Sequence, residues 1–175
     1  MVRALPDDGN RYEVIDGELL VTPSPRATHQ RAVTELLVRL FPYVEAAKIG
    51  EVMTSPADIE FREDTLVQPD VFVAPLTPAG RKVRDWRDIK NLLLAVEVLS
   101  PSTARADRQV KRRLYQEGPV SEYWIVDLDG RVVERWRPGD DRPAVLSDRL
   151  TWQPTAKLPT LEMDLPAFFQ NVLDD

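Results

Sequence analysis

Apolar and polar positions along the chain predict a set of short strands interrupted by helices. Tyr12-Glu13-Val14-Ile15 and Glu18-Leu19-Leu20-Val21 flank Asp16-Gly17, a favoured two-residue turn, and so predict a β-hairpin. Thr22-Pro23-Ser24-Pro25 breaks its second strand. Thr28 can then cap a helix in which Val33, Leu36, Leu37, Leu40 and Phe41 recur at helical spacing. Ile59–Phe61 predicts a modest strand. Val71–Ala74, Leu92–Val96 and Tyr123–Val126 are continuous apolar runs, the pattern of strands covered on both faces. A second helix should start at Ser102 or Thr103 and end near Glu117, before Gly118-Pro119. Asp129-Gly130 turns the chain into Arg131–Trp136. Short runs at Ala144–Leu146 and Leu150–Trp152 and a terminal helix from about Pro166 complete the pattern. Strands interleaved with helices indicate an α/β sandwich around a mixed sheet, with extra β-hairpins.

Composition narrows the class. At 175 residues the chain reads as a single domain, 1–175, with no linker long enough to divide it. It has no cysteine and one histidine, which excludes disulfide frameworks, thiolate zinc sites and histidine-rich metal clusters. Its apolar runs fall far short of the ~20 residues that a membrane-spanning helix needs. The N-terminus lacks the apolar core of a signal peptide, so a cytoplasmic location and no membrane partner are expected. The net charge of −6 argues against a general polyanion-binding surface. Contact with nucleic acid would need a local patch, and Arg105, Arg108 and Arg112 on the second helix supply the densest one.

Three residues are polar where the pattern wants apolar ones. Asp70 opens the run Val71–Ala74, Glu97 interrupts the run Leu92–Leu99, and Lys111 falls near the apolar side of the second helix. A carboxylate inside such a strand is costly to bury unless it is paired or holds a cation. With Ala106, Val110 and Leu114 as the expected apolar stripe, Lys111 lies about 60° from Leu114 at 3.6 residues per turn. It is thus the basic residue of that helix best able to lean toward the sheet, and Asp107 shares its face one turn earlier. Carboxylates of this kind hold Mg²⁺, a hard cation with oxygen ligands, and a nearby ammonium stabilises developing negative charge. His29 and Glu18 are accessory candidates. Ser100 and Ser102 lack the elbow motif and the histidine that a nucleophilic serine requires.

Gln68-Pro69-Asp70, Glu97-Val98-Leu99-Ser100-Pro101-Ser102-Thr103, Asp107…Lys111…Tyr115 and Glu122–Asp127 together resemble the Uma-type family of restriction-endonuclease-like proteins, within the PD-(D/E)XK nuclease superfamily. The hairpin around Asp16-Gly17 and the segment Pro25…His29-Gln30 match as well. The resemblance implies a restriction-endonuclease-like fold, Mg²⁺-dependent hydrolysis of DNA phosphodiesters with Mn²⁺ as a substitute, and often a homodimer. Asp70 matches the first acid and Glu97 the second, with the Val98 carbonyl as a further metal ligand and Gln68 as an accessory. The superfamily's lysine would stand at position 99, where this chain has Leu99. The Uma-type pattern carries a lysine on the next helix instead, and Lys111 matches it. Lys111 is expected to act on the phosphate with little effect on stability. The alternative is a catalytically inactive nuclease fold that serves as a binding or regulatory module.

Overall fold

The computed structural model describes residues 10–174. Its centre is a six-stranded mixed sheet in the order β10-β9-β8-β7-β6-β3, formed by β3 (Gly50–Thr54), β6 (Val71–Pro75), β7 (Leu94–Val98), β8 (Tyr123–Asp127), β9 (Val132–Trp136) and β10 (Ala144–Leu146). Only β7 and β8 run parallel, and the helix of residues 104–117 crosses between them. Strands β6, β7 and β8 carry the continuous apolar runs, and both of their faces are covered.

One face packs against α1 (Ala27–Ala47), α3 (Leu165–Leu173) and the hairpin of β11 (Arg149–Trp152) and β12 (Leu161–Asp164). Leu36, Leu40 and Val44 of α1 meet Val71, Val73, Val96, Trp124 and Phe168 there. The other face packs against the 104–117 helix and a smaller sheet in the order β2-β1-β5-β4. That sheet is built from β1 (Arg11–Ile15), β2 (Glu18–Thr22), β4 (Ile59–Arg62) and β5 (Thr65–Val67). Ile15, Ile59, Val67, Leu114, Tyr115 and Tyr123 fill this second core.

The expected α/β architecture is present, with corrections in detail. The first helix begins at Ala27 behind an extended Arg26, and Thr28 sits inside its first turn instead of capping it. Phe41 is half exposed; Ala32 and Val44 take its place in the buried stripe. In the second helix, Ala106–Lys111 forms a π-helical turn, closed by Arg112 N–H donating to the Asp107 carbonyl. The wide turn rotates the preceding residues, so the predicted stripe fails. Val110 is 40% exposed, and Asp107 and Lys111 face the sheet together with Leu114 and Tyr115. Such π-bulges occur frequently at functional sites.

Pairing between β6 and β7 is antiparallel, with Val71 opposite Val96. Continuing that register by one position sets Asp70 opposite Glu97. Strand β3 closes the sheet beside β6, and its first residue sits tightly against the neighbouring backbone: a Cβ on Gly50 would lie 2.1 Å from the Ala74 carbonyl oxygen. Backbone has to move to accept it. Gly50→Ala is therefore expected to destabilise the protein by about 1–3 kcal/mol, the range of core overpacking, measured as a lower denaturation midpoint. An unchanged midpoint would show that this strand edge yields freely.

Candidate active site

Side chains from β1, α1, the start of β6, β7 and the 104–117 helix meet in one buried polar cluster. Strand β1 alternates, so Arg11, Glu13 and Ile15 share a face, with Glu13 and Ile15 buried and Glu13 against Lys111 of the 104–117 helix. Pro69 ends the preceding loop and Asp70 enters at the start of β6, while Ser55 Oγ donates to the carbonyls of Gln68 and Pro69 and fixes that loop. Glu97 projects from β7, and Asp107 and Lys111 come from the π turn.

Lys111 is the hub. Its Nζ lies 2.7 Å from Glu13 Oε2, 3.0 Å from Glu97 Oε1 and 3.6 Å from Asp107 Oδ1. The Tyr115 hydroxyl donates to the same Glu97 oxygen at 3.2 Å. Glu13 also accepts the Gln68 backbone N–H at 2.8 Å, and the Gln68 side chain donates to Asp58. Asp70 is held from three sides. Arg11 Nη1 contacts Oδ1, while His29 Nε2 lies 3.0 Å from Oδ2 and Val98 N–H donates to Oδ2 at 2.8 Å.

Burial and charge set the protonation of these groups. Burial alone would make Lys111 shed its proton, but the charges of Glu13, Glu97 and Asp107 outweigh it and hold the ammonium firmly protonated. Burial likewise disfavours an ionised Asp70; the hydrogen bond with His29 and the charge of Arg11 overcome it and keep Asp70 well below the usual carboxylate range. Glu97 goes the other way. Burial raises it well above its ordinary 4.5, and Asp70, Asp107 and Glu13 add to the rise against the pull of Lys111. Burial also raises Asp107, Tyr115 and Tyr123, so the two tyrosines are neutral hydrogen-bond donors.

The structure thus brings Asp70, Glu97, Lys111, Asp107, His29 and Gln68 into one neighbourhood. Glu18 is not among them: it is exposed at the start of β2. The third carboxylate at the lysine is instead Glu13, which with Arg11 escaped the reading of the sequence. The signal was present, since an acid alternating with Ile15 in a strand is the same anomaly as Glu97 in its apolar run. Lys111 also differs from the expectation of a residue with little structural weight. It is only 2% exposed, and removing it would leave buried carboxylates unpaired, typically a loss of about 3–5 kcal/mol. Of the three arginines expected to meet nucleic acid, Arg108 is engaged by Asp127 and Glu134, each at 2.7 Å. Arg112 lies 5.0 Å from the Trp136 ring centre. Arg105 is exposed and donates to Gln109 on its own helix.

A family model described as "Uma2: Putative restriction endonuclease" matches residues 2–169. The chain belongs to this family. Its fold is also that of a crystal structure of "a putative nuclease belonging to DUF820" from Anabaena variabilis ATCC 29413. The two share 17% identity and a TM-score of 0.74 over 98% of this chain and 97% of that one. No curated protein matches. Restriction-endonuclease-like proteins usually use divalent metal ions, and the donors in this Uma2 chain suit one. Glu13, Asp70, Glu97 and Asp107 set four carboxyl groups against the fixed charges of Arg11 and Lys111. All offer hard oxygen atoms. One of them, Asp107 Oδ1, is buried without a hydrogen-bond partner. Among the described residues no three such groups already stand at metal-holding spacing; Lys111 contacts Glu13, Glu97 and Asp107, and Arg11 contacts Asp70.

The surplus of carboxylates makes a pH prediction. A carboxyl group raised by folding binds its proton more tightly in the folded chain than in the unfolded one. Its contribution is neutral below pH 4.5, grows destabilising as pH rises from there toward the folded value, and is constant above it. Glu97→Gln keeps an acceptor for Lys111 and Tyr115 but cannot ionise. In chelator it should melt above the parent chain, by a margin that widens from pH 5 to pH 8. A margin independent of pH would mean that Glu97 is not the strained acid of the cluster.

Proposed function

We propose that this Uma2-family chain is a Mg²⁺-dependent endonuclease that hydrolyses DNA phosphodiester bonds, with Mn²⁺ as a working substitute. The observation that carries the reading is the convergence of Asp70, Glu97 and Lys111, from three separate elements, in one cluster on a nuclease fold. Asp70, Glu97 and the Val98 carbonyl would hold the ion. When bound, it would polarise a phosphodiester and make an attacking water more acidic.

The chain's own groups have distinct tasks in this reading. Lys111, protonated at Nζ, places a fixed positive charge beside Glu97 and stabilises negative charge as it develops on the phosphate. It does from the helix what a lysine at position 99 would do from the strand. Tyr115 orients Glu97, and His29 orients Asp70. Glu13 keeps Lys111 charged and in place, and Gln68 steadies Glu13 through its backbone N–H. Arg105, exposed, could meet a DNA backbone without breaking an ion pair; Arg108 and Arg112 would contribute after leaving their intramolecular partners. One such site breaks one strand, so a cytoplasmic homodimer with symmetry-related sites is the form that would cut a duplex.

A second reading, an inactive nuclease fold acting as a binding module, draws on the full engagement of Asp70 by Arg11, His29 and Val98. A cleavage assay separates the two. With Mg²⁺ or Mn²⁺ the parent chain should nick or linearise supercoiled plasmid, and Asp70→Asn should not. Lys111→Arg, which keeps the charge on a longer planar fork, should be slower by about 10²–10³. A parent chain that binds DNA but leaves plasmid and single-stranded DNA intact with both ions would favour the binding module.

A further inference from the structure

We propose that Arg11 is the built-in counter-cation of the metal site: its guanidinium holds Asp70 in the metal-free protein and must leave before a divalent cation can bind there. This rests on the endonuclease reading and names how that same site is opened. Asp70 has two oxygens. Oδ2 is taken by His29 Nε2 and by the Val98 N–H. Both of these partners sit on rigid elements, α1 and β7. Oδ1 is held by Arg11 Nη1. The oxygen open to exchange is therefore the one under Arg11.

Exposure points the same way. The Arg11 side chain is 16% exposed, against 3% for Asp70 and 3% for Lys111. Arg11 is thus the member of the charge cluster nearest to solvent, and it covers the carboxylate. Its attachment is also incomplete. Arginine–carboxylate pairs are frequently gripped by two parallel hydrogen bonds. Here Oδ2 is already engaged, and the buried Arg11 Nε has no hydrogen-bond partner. Lys111 makes the contrast, ringed by three carboxylates deeper in the core. Exchange of Arg11 for a doubly charged ion would also offset more of the surplus carboxylate charge than Arg11 does, since its own charge already acts on Glu97 and Glu13 as well as Asp70.

Calorimetric titration with Mn²⁺ and Mg²⁺ tests the inference. Arg11→Gln should bind both ions about tenfold more tightly than the parent, because no charge-assisted hydrogen bond has to be broken. Arg11→Lys, which keeps the charge, should stay close to the parent. The parent chain gives an independent reading: the Arg11 Nε–Hε resonance, slow to exchange with solvent in chelator, should shift and exchange faster as the ion is added. Equal or weaker binding by Arg11→Gln, or an Arg11 resonance untouched by saturating ion, overturns the inference and leaves the endonuclease reading standing. Binding by neither chain overturns both.

Discussion

The Lys111 ammonium sits among Glu13, Glu97 and Asp107, almost sealed from water, and the arrangement of the other layers depends on that contact. Glu13 belongs to the small sheet, Glu97 to the central sheet and Asp107 to the crossover helix. One nitrogen thus ties together the three elements that meet on this side of the molecule. Charges buried in this way are poor stabilisers, because desolvation offsets most of their mutual attraction and apolar residues of similar volume usually do as well or better. Their concentration in one place, with several protonation equilibria displaced, is what a reactive site requires.

The π turn is the local device that makes the cluster possible. In a regular helix the apolar stripe Ala106, Val110, Leu114 would face the sheet and the polar residues would flank it. Widening the turn over Ala106–Lys111 sends Val110 to the surface and points Asp107 and Lys111 inward. The helix gives up a well-paired apolar contact and gains a positioned ammonium. Tyr115 and Tyr123, their rings tilted at 56° with centres 4.7 Å apart, supply hydroxyls to Glu97 and to the Asp107 carbonyl.

Much of this was legible in the residues. Asp70 and Glu97 stand out because each interrupts an apolar run, and the adjacency of their strands follows from the antiparallel pairing of β6 with β7. Lys111 was found by helix geometry, although the regular periodicity that singled it out is not the one the helix adopts. Arg11 and Glu13 were missed because a terminal hairpin with a polar turn reads as a surface feature, and only the packing of β1 over the crossover helix buries its inner face. Strand β3 was missed because Gly50-Glu51-Val52-Met53-Thr54 is short and barely alternates. Its pairing comes from tertiary contact with β6. A carboxylate that interrupts an apolar run is therefore easier to read than the residues that neutralise it, since counter-charges are defined by what they touch.

If the surplus of buried carboxylates holds a divalent cation, as we propose, thermal melting reads it without any need for activity. An ion that binds the folded chain alone raises its melting temperature with concentration. Millimolar Mn²⁺ or Mg²⁺ should then raise the parent melting temperature above its value in chelator. Asp70→Asn, folded but short of one ligand, should gain little or nothing. A parent melting temperature indifferent to both ions, or an equal rise in Asp70→Asn, would contradict it.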